Sequence, residues 1–178
     1  LPQAGAEPAV VDDADADTLT RTAQAHQRAG EFEQACEIYL ELIARWPDSV
    51  TARNNQVSLG QLQLDRLDRA EDALQQFDAY LAADPGGVLS EDARIGRVRA
   101  MDRMARPGDV EEAADAFLQY HPHSGVAAEV HRLRGDARRS QGNLLGAADD
   151  YQEVLERWPG SPQATLASQG LTACHEGG

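Results

Sequence analysis

Apolar and alanine positions recur along residues 17–174 at three- and four-residue spacing, interrupted by glycine, proline and short polar runs. That spacing lays an apolar stripe along one face of a helix and predicts a string of amphipathic helices. The interruptions sort the helices into pairs. Segments 17–29 and 32–45 meet at Gly30, and 50–65 and 68–83 meet at the turn RLD. Segments 89–105 and 109–121 are split by ARPGD, where Pro107 cannot continue a helix, and 125–141 and 145–157 meet at QGN. A single helix, 162–174, closes the string. Residues 1–16 (LPQAGAEPAVVDDADA) carry no sustained stripe, two prolines and four acids. They read as an acidic, disordered lead to a helical domain at 17–178.

Each pair ends on a proline, and the steps from Pro47 to Pro85, Pro122 and Pro159 are 38, 37 and 37 residues. Such a period marks a repeat architecture. Both tryptophans fall in a phrase R-W-P-x-S that opens and closes the series, at 45–49 and 157–161. Proline stops one helix, and Asp48-Ser49, Ser90, Ser124 and Ser161 offer oxygen caps to the next. Trp46 and Trp158 are expected to cover the joints between pairs. Aligning the second helices pairs a small residue with an aromatic one turn later: Ala35 with Tyr39, Ala73 with Phe77, Ala113 with Phe117, Ala147 with Tyr151. Ala23, Gly60, Ala100 and Gly135 supply the complementary small position in the first helices. On this alignment the second pair has an extra turn residue and the third a shortened second helix. One pair cannot bury its apolar face alone, so neighbouring pairs must stack.

Small residue, turn glycine, Ala, aromatic and terminal proline follow in the order of the tetratricopeptide repeat, which residues 17–174 resemble. Gly30, Ala35, Tyr39 and Pro47 carry the resemblance in the first repeat, and Gly135, Gly142, Ala147, Tyr151 and Pro159 in the fourth. The resemblance implies an all-α solenoid of about four helix-turn-helix repeats plus a C-terminal capping helix. It implies a non-enzymatic scaffold that binds another protein or a peptide segment, with the first helices forming a concave groove. The phrases ERWPGSPQA, QYHPHSGVA and LSEDARIGRVRA are also similar to periplasmic repeat proteins of Gram-negative bacteria. Those include outer-membrane assembly lipoproteins, cell-division coordinators and the C-terminal halves of FecR-type anti-sigma regulators. That narrower resemblance implies a place in the periplasm or cell envelope, with the cytoplasm as the alternative. Since the chain starts at Leu1, an upstream signal or anchor segment removed by processing or truncation is an expectation.

Composition narrows the chemistry. The net charge is −14, and all 16 basic residues are arginine. A chain this acidic is a poor match for nucleic acid or anionic lipid. Without lysine, no P-loop lysine or Schiff-base chemistry is open to it. Cys36 and Cys174 form no disulfide framework and no metal-ligand spacing, and both are expected to be free. His121-Pro122-His123 has no third ligand nearby and reads as an exposed turn, so no metal or cofactor is expected. No nucleophile-elbow or zinc-protease motif occurs. The acid pairs Glu111-Glu112 and Asp149-Asp150 are expected on exposed faces, where they keep the chain soluble.

Nine of the arginines fall between residues 94 and 139, against seven acids in the same window. Counting from Ala100 and Gly135 by the family's register places Arg94, Arg97, Met101 and Met104, then Glu129, Arg132, Asp136 and Arg139, in the groove. Asn54, Val57, Gln61 and Leu64 line it in the preceding pair. Such guanidiniums would clamp an acidic segment or a C-terminal carboxylate. The competing reading pairs them with nearby acids on solvated helix faces. Two other functional classes stand beside the scaffold: a structural subunit using lateral surfaces, and an enzyme or small-ligand sensor.

Overall fold

The structure, a computed structural model, describes residues 13–176, which form nine α-helices and no strand. They are α1 (Asp13–Ala29), α2 (Phe32–Arg45), α3 (Val50–Asp65), α4 (Ala70–Ala83), α5 (Ser90–Arg103), α6 (Pro107–Tyr120), α7 (Ala127–Ser140), α8 (Leu144–Arg157) and α9 (Pro162–Glu176). The expected four pairs and closing helix are present. α1 starts four residues inside the expected lead, whose remainder lies outside the described residues. α6 starts at Pro107 itself, in the first turn, where a missing N–H costs nothing. α9 runs on through Cys174 and His175. Ser49 and Ser161 accept from Ala52 and Ala164 N–H, as caps should. Ser90 is instead the first residue of α5, and the preceding Leu89 N–H donates to the Tyr80 hydroxyl at 3.0 Å.

The proline period governs the backbone throughout. One residue in each intra-pair turn is left-handed: Gly30, Asp68, Ala105 and Gly142, spaced 38, 37 and 37. Each second helix closes with one cap bond: Trp46, Asp84, His121 and Trp158 N–H donate to Leu42, Tyr80, Phe117 and Val154. Phe117 is therefore the counterpart of Tyr80 and Val154. The place of Tyr39, Phe77 and Tyr151 is held in the third repeat by Ala114. Accordingly α6 is not shortened; it has 14 residues, like α2, α4 and α8. The extra residue of the second repeat is real and sits in its turn. There Arg69 N–H reaches back to Gln63, one residue further than Glu31 to His26, Arg106 to Met101 or Asn143 to Arg138.

Consecutive helices pack along the chain, and the odd helices also touch in series, α1 to α3 to α5 to α7 to α9. No such series links the backbones of the even helices, so the odd helices form the inner layer of the stack. What sets their spacing is an aromatic ring held between two glycines. The buried Phe77 ring lies between Gly60 of α3 and Gly96 of α5, and the buried Tyr151 ring between Gly135 of α7 and Gly170 of α9. A Cβ on Gly96 would sit 2.4 Å from Phe77 Cζ, and one on Gly170 would sit 2.4 Å from Tyr151 Cζ. The third repeat inverts the pattern: the small side chain is Ala114, and Val98 and Leu133 fill the places of the glycines, all three within one core cluster. Volume is conserved between layers although the residues are not.

The ring contact predicts the sign of a simple substitution. Alanine is the better helix former by about 1 kcal/mol, so Gly170→Ala would stabilise an unobstructed helix. Against the fixed Tyr151 ring it should cost about 1–3 kcal/mol instead. Gly160→Ala, with nothing within 4 Å of the new Cβ, should stay within about 0.5 kcal/mol. Urea denaturation of the two variants checks the difference.

Candidate functional site

The period also fixes which side chains share the inner face. At the 37-residue offset that relates the third and fourth repeats, the counterparts of Glu129, Arg132, Asp136 and Arg139 are Asp92, Ile95, Arg99 and Asp102. The expected Arg94, Arg97, Met101 and Met104 lie two residues further on, about 200° around the helix. The structure places them accordingly, on the side facing the second helices or in the core. Arg94 stacks on Tyr120 of α6, 4.1 Å from the ring centroid, and donates to the Pro85 carbonyl. Arg97 Nε lies 2.6 Å from Asp78 Oδ1 on α4. Met101 is buried among α5, α6 and α7 side chains, and Met104 packs on the cluster around Phe77. In α3, Val57 and Leu64 are core residues. Gln61 does border an inner cleft, with Tyr39, Ser58 and Asp65, and Asn54 is half-buried.

The fourth-repeat residues do come together. Tyr151 reaches from α8 past Gly135 and donates to Asp136 Oδ1 at 2.7 Å. Arg139 Nε donates to the same hydroxyl at 3.3 Å. Arg132 pairs with Asp136 and donates to Gln163 of α9 at 2.6 Å. Burial and the bond to Asp136 push the Tyr151 phenol well above its ordinary value. The sequence reading missed the middle of the strip. Arg99 of α5 grips Glu129 of α7 with two bonds of 2.7 Å, and Asp65 and Asp92 add to its electrostatic surroundings. Asp102 faces Arg132 and Asp136. Desolvation is the main force raising its pKa; Asp136 and Glu129 add to it and Arg132 and Arg103 oppose it. Asp65, Asp92 and Asp102 have no ion pair among the described residues. Carboxylates thus outnumber guanidiniums along the inner strip.

A second polar cluster lies on the other side of α7. Asp150 is 2% exposed, contrary to the solvated face expected for it. Arg134 Nη2 donates to its Oδ1 at 2.6 Å and Arg138 Nη1 to its Oδ2 at 2.9 Å, while His131 Nδ1 lies 3.0 Å away. The same arginines reach Asp115 and Glu111 of α6. Burial pushes the Asp150 carboxyl up, but the bonds from His131 and Arg134 and the charges of Arg134 and Arg138 outweigh it, leaving the pKa below its ordinary value. Its neighbour Asp149 is exposed, as is Glu112. Seven of the nine clustered arginines have a carboxylate partner, the exceptions being Arg94 and Arg139. Of the other candidate groups, Cys36 and Cys174 are buried free thiols, and burial pushes the Cys36 thiol up. His121 packs on Phe117, and no group of three or more metal-ligating side chains occurs among the described residues.

The tetratricopeptide-repeat family model matches residues 20–88 and 103–162, most of the chain. The protein belongs to the tetratricopeptide repeat family. Solved tetratricopeptide-like folds agree in architecture at low identity. MamA superimposes with a TM-score of 0.78 at 17% identity, over 91% of this chain and 81% of that one. A putative kinesin light chain from Podosopora anserina gives 0.71 at 10%, over 94% and 88%. YrrB, described as a tetratricopeptide protein with an unusual peptide-binding site, gives 0.71 at 16%, over 93% and 78%. No curated protein matches. Tetratricopeptide arrays serve as protein-interaction scaffolds, and no helix among the described residues is long and apolar enough to cross a membrane.

Asp150 gives this tetratricopeptide array a testable pH signature. Asp150→Asn leaves two largely buried guanidiniums short of their counter-charge and should cost about 3–5 kcal/mol near pH 7. A carboxyl depressed in the folded state contributes fully above its unfolded pKa and loses its contribution as pH falls through the folded value. The gap between wild type and Asp150→Asn should therefore be widest near neutrality and close under acid. Chemical denaturation from pH 7 down to pH 3 measures it.

Proposed function

We propose that this protein is a non-enzymatic adaptor whose inner strip holds a segment of a partner protein. The observation that carries this reading is the row of exposed carboxylates on the odd helices that form no ion pair among the described residues: Asp65, Asp92 and Asp102. It reverses the sign of the partner expected from the sequence, because Arg94 and Arg97 face away from the strip. The complementary ligand is a basic segment, with Arg99, Arg132 and Arg139 held in internal bonds that shape the floor. The peptide-binding description of YrrB supports the general mode of action. The likeness of ERWPGSPQA and its companion phrases to periplasmic repeat proteins supports a setting in the bacterial cell envelope, which fractionation of the native host would test.

Selection from a random peptide-display library tests the strip directly. Recovered sequences should be enriched in Arg and Lys, and their binding should weaken with salt, because exposed charges are screened over about 8 Å at physiological ionic strength. Asp92→Asn combined with Asp102→Asn should reduce binding about tenfold or more. A control pair on second helices, Asp72→Asn with Asp149→Asn, should change it little, although it removes the same charge. Acidic consensus peptides, or equal losses in both pairs, would overturn the reading.

A further inference from the structure

Where α5 turns into α6, the inner strip ends in a pocket of about 370 Å³. Pro107, Val110 and Ala137 give it an aliphatic wall, and Asp102, Asp136 and Arg106 bring charge to it. Two of these charges are already answered. Arg106 Nη2 lies 2.5 Å from Asp109 Oδ2, and Asp136 is held by Arg132 and the Tyr151 hydroxyl. Asp102 has no ion pair among the described residues. Desolvation, then Asp136 and Glu129, raise its pKa against Arg132 and Arg103, and a cation in the pocket would offset all three. Asp102 stands in the last turn of α5 and Ser140 closes α7, so two of the three helix ends that meet here are C-termini. Their partial negative charge favours a cation. One short side chain keeps the corner open. At the 37-residue offset Ser140 is the counterpart of Arg103, which reaches across the turn of the second repeat and donates to Asp68 Oδ1 at 2.7 Å. Ser140 instead turns its hydroxyl back to the Ala137 carbonyl and leaves the third-repeat turn uncovered. Ala105 holds the place of Asp68 there, and the carboxylate at the corner comes from Asp102 of α5.

We propose that this pocket takes an arginine side chain of the partner's basic segment, with its stem along Pro107, Val110 and Ala137 and its guanidinium on the Asp102 carboxylate. Charge complementarity to Asp102 calls for a cation. The aliphatic wall favours arginine among cations, because a guanidinium is more weakly hydrated than an ammonium and meets a carboxylate through two parallel bonds. This role rests on the reading of the inner strip as the seat of a basic segment, and it fixes where that segment is anchored.

A titration of the full ¹⁵N-labelled chain tests it, following the Ala137 and Ser140 backbone amides. The probes are a capped Ala-Arg-Ala peptide and its citrulline and lysine analogues. The arginyl peptide should shift both resonances saturably, and the citrulline analogue, which keeps the shape and loses the charge, should not. The lysine analogue should bind about threefold more weakly or worse. Asp102→Asn should weaken the arginyl peptide about tenfold. Ser140→Arg, which fills the corner from within as Arg103 does one repeat earlier, should abolish the shift at Ala137. Equal shifts with citrulline, or undiminished binding in Asp102→Asn and Ser140→Arg, would remove the site. Lysine binding as tightly as arginine would overturn the commitment to a guanidinium. Peptides selected against the strip separate this pocket from the wider reading. If they are basic and Ser140→Arg leaves their affinity unchanged, the pocket falls and the strip stands. No basic consensus, with the arginyl peptide still seated on Asp102, would overturn the strip and support the pocket alone.

Discussion

The spacing of the inner layer depends on one contact, an aromatic ring from a second helix clasped between glycines of two successive first helices. Gly60 and Gly96 face Phe77, and Gly135 and Gly170 face Tyr151. Each glycine gives up the helical preference that alanine would bring, about 1 kcal/mol per position, and the ring's burial between close-packed backbones offsets it. Because the contact joins three helices, it ties each pair to the next, which the pair's own turn cannot do. The third repeat reaches the same spacing with the sizes exchanged, Ala114 between Val98 and Leu133.

This packing sorts the charges. A position two residues along a first helix changes from facing the inner strip to facing the second helices, so neighbouring arginines serve opposite sides. Arg99 spans α5 and α7 on the inside, while Arg97 turns to α4 on the outside. Around α7 the same alternation gives Arg132 to the strip and Arg134 to the buried Asp150. The outer network is expensive to desolvate and holds because every oxygen of Asp150 is met. The inner strip keeps exposed carboxylates, Asp65, Asp92 and Asp102, that form no ion pair among the described residues.

The fold was legible in the sequence because prolines, turn residues and small–large pairs all repeat on one period. The second-repeat extra turn residue could be read from the same spacing. The inner face of α5 was misread for a specific reason: Phe117 was matched to Tyr39 and Phe77 as the nearest aromatic. Distance to the terminal proline would have matched it to Leu42, Tyr80 and Val154. That slip moved Ala100 into the place of Gly135 and turned Arg94 and Arg97 inward. The prolines at 37-residue spacing held the correct register. Asp150 was a different kind of failure. Its burial depends on Arg134 and Arg138 arriving from another helix, and nothing in the local pattern DDY separates it from the exposed Asp149.

A double-mutant cycle between Gly96 and Phe77 tests the central contact most directly. If the ring is what excludes a side chain at position 96, Gly96→Ala should destabilise the wild-type protein. In the Phe77→Ala background, where the ring is gone, the same change should be neutral or stabilising, giving a coupling energy of roughly 1–3 kcal/mol. The same cost in both backgrounds, with no coupling, would contradict the account.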